Sequence, residues 1–180
     1  MFVTDFLDEY DKYRRLGENA MAQASDEALN RIVAADGNSI AMLVRHVSGN
    51  LVSRFTDFLT TDGEKPSRDR DDEFAERSYS RDDVNRQWNA GFDVMSRELA
   101  KLTDDDLSRT VKIRGADLTV NQALCRSLAH TASHTGQIVL LARILASGEW
   151  KSLSIPRGQS RQYNQNPTIE KGPPAITPRT

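Results

Sequence analysis

The three histidines of this 180-residue chain are the side chains whose type and spacing could support chemistry. His130 and His134 stand at positions i and i+4 of a helical pattern, which places their rings on one helical face, about 6 Å apart at Cβ. A helix with this spacing can bind one metal ion through both imidazoles. His46 lies midway along an earlier helical pattern and can meet the other two at one depth of a bundle. The sequence therefore predicts a divalent metal site formed by His46, His130 and His134.

The chemistry of such a site depends on what else surrounds the ion. Three neutral imidazoles leave positions open for water or substrate, which is typical of catalytic sites rather than structural ones. Asn50, Ser127 and Gln137 project near the histidines and are candidate contacts to substrate or to the ligand rings. Histidines that are merely buried or solvated, beside polar residues tolerated at a wet cavity, are an equally good interpretation. The residues alone leave both interpretations open.

The remaining reactive and charged side chains are expected to be structural. Cys125 is the single cysteine, so no intramolecular disulfide can form. It lies about 140° round the helix from His130, and we expect a buried thiol that takes no part in the site. Arg157 and Arg161 could bind an anionic substrate, although a solvated or docked tail is the simpler expectation. A formal net charge of −2 gives no electrostatic reason to expect nucleic acid as a partner.

Four long patterns of apolar residues at steps of three and four must position the histidines. These patterns cover residues 2–23, 39–60, 80–102 and 119–146. Ser80 and Thr119 are the expected N-caps of the last two, and Thr119 forms a capping box with Gln122. The sequence therefore predicts an all-α protein built as a four-helix bundle.

The connections between these patterns have their own signatures. A short helical piece is expected over residues 25–33, and residues 111–113 alternate like a short strand. The charged stretch 61–79 is expected to be a solvated loop. Five of the six prolines follow Gly148, and from Lys151 onward five basic residues stand against one acidic residue. We therefore expect a metal-binding bundle over 1–148 and an extended basic tail over 149–180.

Targeting signals are also weak. The first nine residues are acidic where a signal peptide would be basic. The most apolar stretch, 138–146, is interrupted by Arg143 and is far shorter than the roughly 20 residues of a membrane-spanning helix. With a single cysteine, these features favour a cytoplasmic protein that has no membrane partner.

The layout of the histidines resembles the DinB/YfiT-like superfamily, whose members carry a histidine midway along the second helix and His-x-x-x-His in the fourth. The stretch 150–160, Trp-Lys-Ser-Leu-Ser-Ile-Pro-Arg-Gly-Gln-Ser, is similar to one of its uncharacterised bacterial subfamilies. The resemblance implies an up-up-down-down bundle, a homodimer, and a nickel or zinc site whose ligands match His46, His130 and His134.

Characterised members of the superfamily include thiol S-transferases that use bacillithiol or mycothiol, and a mycothiol-dependent maleylpyruvate isomerase. The resemblance thus implies a metal-dependent enzyme acting on a small molecule, a low-molecular-weight thiol S-transferase or a hydrolase. The alternative is a non-catalytic, metal-binding or stress-associated helical bundle. Nothing in the sequence names the substrate, and three imidazoles suit nickel, zinc or copper alike.

Overall fold

The computed structural model describes residues 2–168, which are mainly helical. In chain order the helices are α1 (Phe2–Met21), α2 (Asp26–Asn30), α3 (Ile40–Phe55), α4 (Arg70–Glu73), α5 (Arg81–Leu99), α6 (Val120–Ile144) and α7 (Ser160–Tyr163). A 3₁₀ turn spans Asp104–Ser108. The four long helices predicted from the sequence are therefore present as α1, α3, α5 and α6.

The long helices begin where their capping residues predict. The Ser80 hydroxyl accepts the Asp83 N–H at 3.2 Å, and the Thr119 hydroxyl accepts the Gln122 N–H at 3.1 Å. The Gln122 side chain returns the contact by accepting the Thr119 N–H at 2.9 Å. Caps of this kind satisfy amide groups that have no partner inside the helix, so they fix the first residue of each helix.

The core lies between the long helices, where α3 packs along α5 and α6 and α1 packs along both of those helices. Its largest fully buried side chains include Trp88, Tyr10, Phe55, Phe92, Leu43 and Leu51. Gly91 allows α3 and α5 to approach closely, because a Cβ atom there would lie 2.7 Å from the Ser48 Cα. Burial of these apolar side chains is the main stabilising contribution.

A two-stranded antiparallel hairpin corrects the all-α prediction. Strand β1 (Thr110–Ile113) pairs with β2 (Ala116–Thr119), and Ile113 faces Ala116 across the turn. The two turn residues, Arg114 and Gly115, have positive φ angles of 54° and 75°, as a type I′ hairpin turn requires. The Asp62 carboxylate accepts both of their amide N–H groups, at 2.8 and 2.7 Å, which holds the turn against the loop.

Two other predictions need correction. The second long pattern predicts a helix up to residue 60, but α3 ends at Phe55 and Asp57 adopts a left-handed φ of 50°. Phe58 is nevertheless buried, so it belongs to the core without being helical. The stretch 61–79, predicted to be a solvated loop, contains α4 and the buried side chain of Glu73.

The C-terminal segment is described up to residue 168, and the predicted tail beyond it lies outside the described residues. Trp150 and Leu153 pack against the core, and the Lys151 N–H donates to Gln23 Oε1 at 2.8 Å. Ser160–Tyr163 forms one helical turn, which the prediction of an extended tail did not include. Among the described residues, no helix combines the length and the apolarity that a membrane span needs.

Candidate metal centre

The three histidines come together between α3 and α6. His46 is buried on α3, and His130 and His134 are partly exposed, one turn apart on α6. One ring nitrogen from each lies within 4.8 Å of the others. The two Nε2 atoms of His46 and His130 are 3.0 Å apart. Each pair of rings has its centroids within 4.6–5.0 Å at a steep interplanar angle. The sequence-predicted set is thus brought together as a single cluster.

Glu73 is a residue of the candidate site that the sequence did not reveal. Its Oε2 lies 2.8 Å from His46 Nδ1, and both groups are buried. Arg68 holds the same carboxylate with Nε at 2.8 Å from Oε1 and a second nitrogen at 3.0 Å from Oε2. Burial alone would raise the pKa of Glu73, but the hydrogen bonds from His46 and Arg68 and the charge of Arg68 lower it overall.

The ionised carboxylate determines how His46 is protonated. An ionised carboxylate only accepts hydrogen bonds, so His46 must donate its Nδ1–H to Glu73. In this tautomer the lone pair of the ring is on Nε2, which faces His130. A carboxylate that orients an imidazole in this way is a common feature of histidine metal sites.

Close packing of α3 against α4 makes the Glu73 contact possible. Gly49 on α3 has no side chain, and a Cβ atom there would overlap the Glu73 carboxylate. Arg45 on α3 also binds α4. One of its nitrogens lies 2.6 Å from Asp72 Oδ2, and another donates to the Glu73 carbonyl oxygen at 3.3 Å. Phe74 covers the outer side of His46, with the ring centroids 4.7 Å apart.

The surroundings of His130 and His134 favour the neutral form of both rings. Burial lowers the pKa of His130 to about 3, and His134 and His46 reinforce the shift by charge repulsion. Burial also lowers the pKa of His134, although its hydrogen bond to Gln137 opposes the change. Neutral imidazole is the form that binds metal ions, and three such nitrogens are a donor set suited to borderline divalent ions.

The hydrogen-bond partners of the ring nitrogens show which of these atoms could bind a cation. His134 Nδ1 lies 3.2 Å from Gln137 Oε1, and His46 Nδ1 is satisfied by Glu73. His130 Nδ1 is buried and has no hydrogen-bond partner among residues 2–168. The Nε2 atom of His46 is free of Glu73 and lies 3.0 Å from His130 Nε2, so these two nitrogens face the same point. The cluster therefore fits a divalent ion shared by the three rings.

A cavity of about 430 Å³ opens beside the histidines. Asn50, Ser127 and Gln137, the polar residues singled out in the sequence, all line it. Asn50 and Ser127 are both buried, and the Ser127 hydroxyl lies beside that of Tyr10. All three polar residues predicted near the histidines therefore border this cavity.

Other residues considered in the sequence lie elsewhere. Cys125 is exposed, which corrects the prediction of a buried thiol. It lies on a different face of α6 from the residues that line the cavity. Arg157 and Arg161 are exposed and do not line the cavity. Phe74 was the available sequence signal for the missed segment, because an aromatic side chain in a charged stretch indicates that the segment docks against the core.

Comparisons with known proteins agree with the fold. A family model described as "Protein of unknown function (DUF1572)" matches residues 1–159. A crystal structure of a DinB-like protein from Bacillus cereus ATCC 10987 superposes with a TM-score of 0.61 at 17% identity, covering 81% of this chain and 95% of that one. No curated protein matches the sequence. The structural match confirms, at the level of the fold, the resemblance drawn from the histidines.

Proposed function

The chain belongs to the DUF1572 family of proteins of unknown function, and from that premise we propose a metal-dependent enzyme that uses His46, His130 and His134 as ligands. The observation that supports this proposal most is the orientation of His46 by Glu73 at the wall of a cavity. A histidine that only fills a core needs neither a buried carboxylate partner nor two further imidazoles within 4.8 Å.

A divalent ion in such a site would supply a Lewis acid that lowers the pKa of water or of a thiol toward neutrality. The chain's own residues would prepare the site for it. Glu73 retains the Nδ1 proton of His46, and Gln137 does the same for His134. Ser127 and Asn50 offer a hydroxyl and an amide for orienting a substrate. Phe74 and Phe58 add apolar surface to the cavity wall.

Two reaction classes are compatible with this chemistry, transfer of a low-molecular-weight thiol to an electrophile and hydrolysis. The proposed metal is nickel or zinc, since both accept imidazole nitrogen. The second candidate is a non-catalytic metal-binding or stress-associated bundle. The cavity favours the enzyme, because structural zinc is usually closed by four protein ligands. No fourth histidine, cysteine or acidic residue joins the cluster within residues 2–168.

The proposal extends to the architecture around the site. We propose that α1, α3, α5 and α6 form an up-up-down-down bundle over residues 1–148, followed by a basic C-terminal segment, 149–180, whose first residues dock on the bundle. We also propose a cytoplasmic homodimer. Packing of Trp150 and Leu153 on the core supports the docking of the tail. Leu140 and Ile144 on α6 are 58% and 59% exposed and offer an apolar surface for a second copy. Light scattering at micromolar concentration should give the dimer mass, and a monomer would contradict this part.

The test of function is turnover by metal-loaded protein. Purified protein is loaded with nickel or zinc and assayed with low-molecular-weight thiols and electrophiles, and separately with ester and amide substrates. We expect activity in one of these assays and its loss in His46→Ala. One bound metal ion per chain without turnover in either set of assays would instead support the non-catalytic bundle.

A further inference from the structure

The charge of the cavity wall carries information about its ligand. The described residues that line it include no acidic side chain but five arginines, which are Arg54, Arg68, Arg70, Arg114 and Arg126. The chain as a whole has a formal charge of −2, so this concentration of positive charge is local. A cavity lined by one sign of charge attracts ligands of the opposite sign.

Carboxylates behind the wall neutralise part of this charge. Glu64 accepts from Arg54 at 2.8 Å and from Arg114 at 3.1 Å, and Glu73 accepts from Arg68 at 2.8 Å. These three arginines therefore act mainly in holding the loop and the hairpin together. They are not the groups that a ligand would find unpaired.

Arg70 and Arg126 differ from the other three. Neither forms an ion pair with a carboxylate among residues 2–168. The Arg70 guanidinium carbon lies 5.2 Å from the centroid of the Phe74 ring, and that ring packs on His46. Arg126 stands one turn before His130 on α6 and lines the same cavity. Two uncompensated guanidinium groups thus border the cavity from α4 and α6.

We propose that the substrate of this site is a small molecule with an anionic oxygen group, a carboxylate or a phosphate, bound by Arg70 and Arg126. This inference deepens the proposed function and rests on it for the role of the histidines. The planar guanidinium forms paired hydrogen bonds with both kinds of anion. A cavity of about 430 Å³ admits a small molecule and excludes a folded macromolecule.

The experiment compares anionic and neutral probes on the full-length protein. Equilibrium dialysis at low, constant ionic strength measures the binding of succinate, inorganic phosphate and the neutral analogue succinamide. The proteins are wild type, Arg70→Gln, Arg126→Gln and the control Arg143→Gln. Arg143 is exposed on the same helix as Arg126 but does not line the cavity. Circular dichroism checks that each variant is folded.

We expect succinate or phosphate, but not succinamide, to bind the wild type. The stronger of the two identifies the anion as carboxylate or phosphate. Each cavity variant should bind it about tenfold more weakly, as expected for the loss of a charge-assisted hydrogen bond. Arg143→Gln should bind it as the wild type does. Equal binding of succinamide, or an equal loss in Arg143→Gln, would overturn the proposal.

The same measurement on chelator-treated protein separates this inference from the metal site. Anion binding that persists without metal, and still depends on Arg70 and Arg126, supports the inference even if the protein proves to have no metal function. Binding that is indifferent to both arginines but is lost in His130→Ala would overturn it, because the anion would then be a ligand of the metal. Wild-type protein that binds neither anion would also overturn it.

Discussion

His46 Nδ1 lies 2.8 Å from Glu73 Oε2, and this contact joins the central histidine of the candidate site to a segment 27 residues further along the chain. The carboxylate is held in turn by Arg68. An ion at the histidines would therefore stabilise α4 as well as α3 and α6. Metal affinity and the order of the 61–79 stretch should consequently change together.

Replacing Glu73 tests this connection directly. Glu73→Gln keeps the size of the side chain but removes the charge that fixes the Nδ1 proton of His46. Loss of such a partner typically lowers metal affinity by about 10- to 100-fold, and competition with a chromophoric chelator would measure the change. Glu76→Gln alters an exposed carboxylate of the same stretch and should leave affinity unchanged. Wild-type affinity in Glu73→Gln would show that the contact plays no part in metal binding.

Gly49→Ala tests the same contact from the opposite helix. The added methyl group would overlap the Glu73 carboxylate, so the carboxylate must move away from His46. We expect lower metal affinity and a lower melting temperature. Gly136→Ala is the matched control, because a Cβ atom there meets nothing within 4 Å. That control should gain about 0.5–1 kcal/mol through better helix propensity. Equal behaviour of the two variants in unfolding and chelator titrations would contradict the argument.

The Asp62 carboxylate predicts how stability varies with pH. Hydrogen bonds from the Glu64, Gly115 and Arg114 amides lower its pKa from the usual 3.8 to about 2. A depressed pKa means that the native state favours the ionised form, so the stabilisation is complete above about pH 4 and disappears as pH falls toward 2. Thermal unfolding between pH 5 and pH 2 should show wild type and Asp62→Asn converging over that interval.

The control for this effect is Asp105→Asn, which removes an exposed carboxylate. Its difference from wild type should be small, because the amides of the hairpin turn donate to Asp62 and not to Asp105. A constant gap between wild type and Asp62→Asn down to pH 2 would mean that the Asp62 carboxylate does not hold the hairpin turn in its charged form.

The sequence predicted the parts of this molecule that local rules govern. The helix starts after Ser80 and Thr119 follow from capping chemistry, and the alignment of His130 with His134 follows from helical periodicity. The placement of His46 beside them also agrees with the prediction from its position in the second long pattern. The arrangement of the long helices as a bundle stays a prediction.

Features that depend on distant contacts could not be predicted in this way. Glu73 belongs to α4, a helix of four residues, which is too short to show a helical repeat in the sequence. The burial of Glu73 depends on the space left by the missing side chain of Gly49, which no local sequence pattern indicates. The hairpin depends on Asp62 accepting amide groups more than 50 positions away. Cys125 is expected from the sequence to be a buried thiol away from the metal face, yet its own face of α6 is solvent-exposed.

The central claim is that His46, His130 and His134 share one divalent ion, and elemental analysis of the purified protein tests it most directly. After loading with excess nickel or zinc and desalting, the wild type should retain one ion per chain. His130→Ala should retain far less than one while keeping its helical circular dichroism, because two remaining ligands bind too weakly. A wild type without metal, or full occupancy in His130→Ala, would contradict the account.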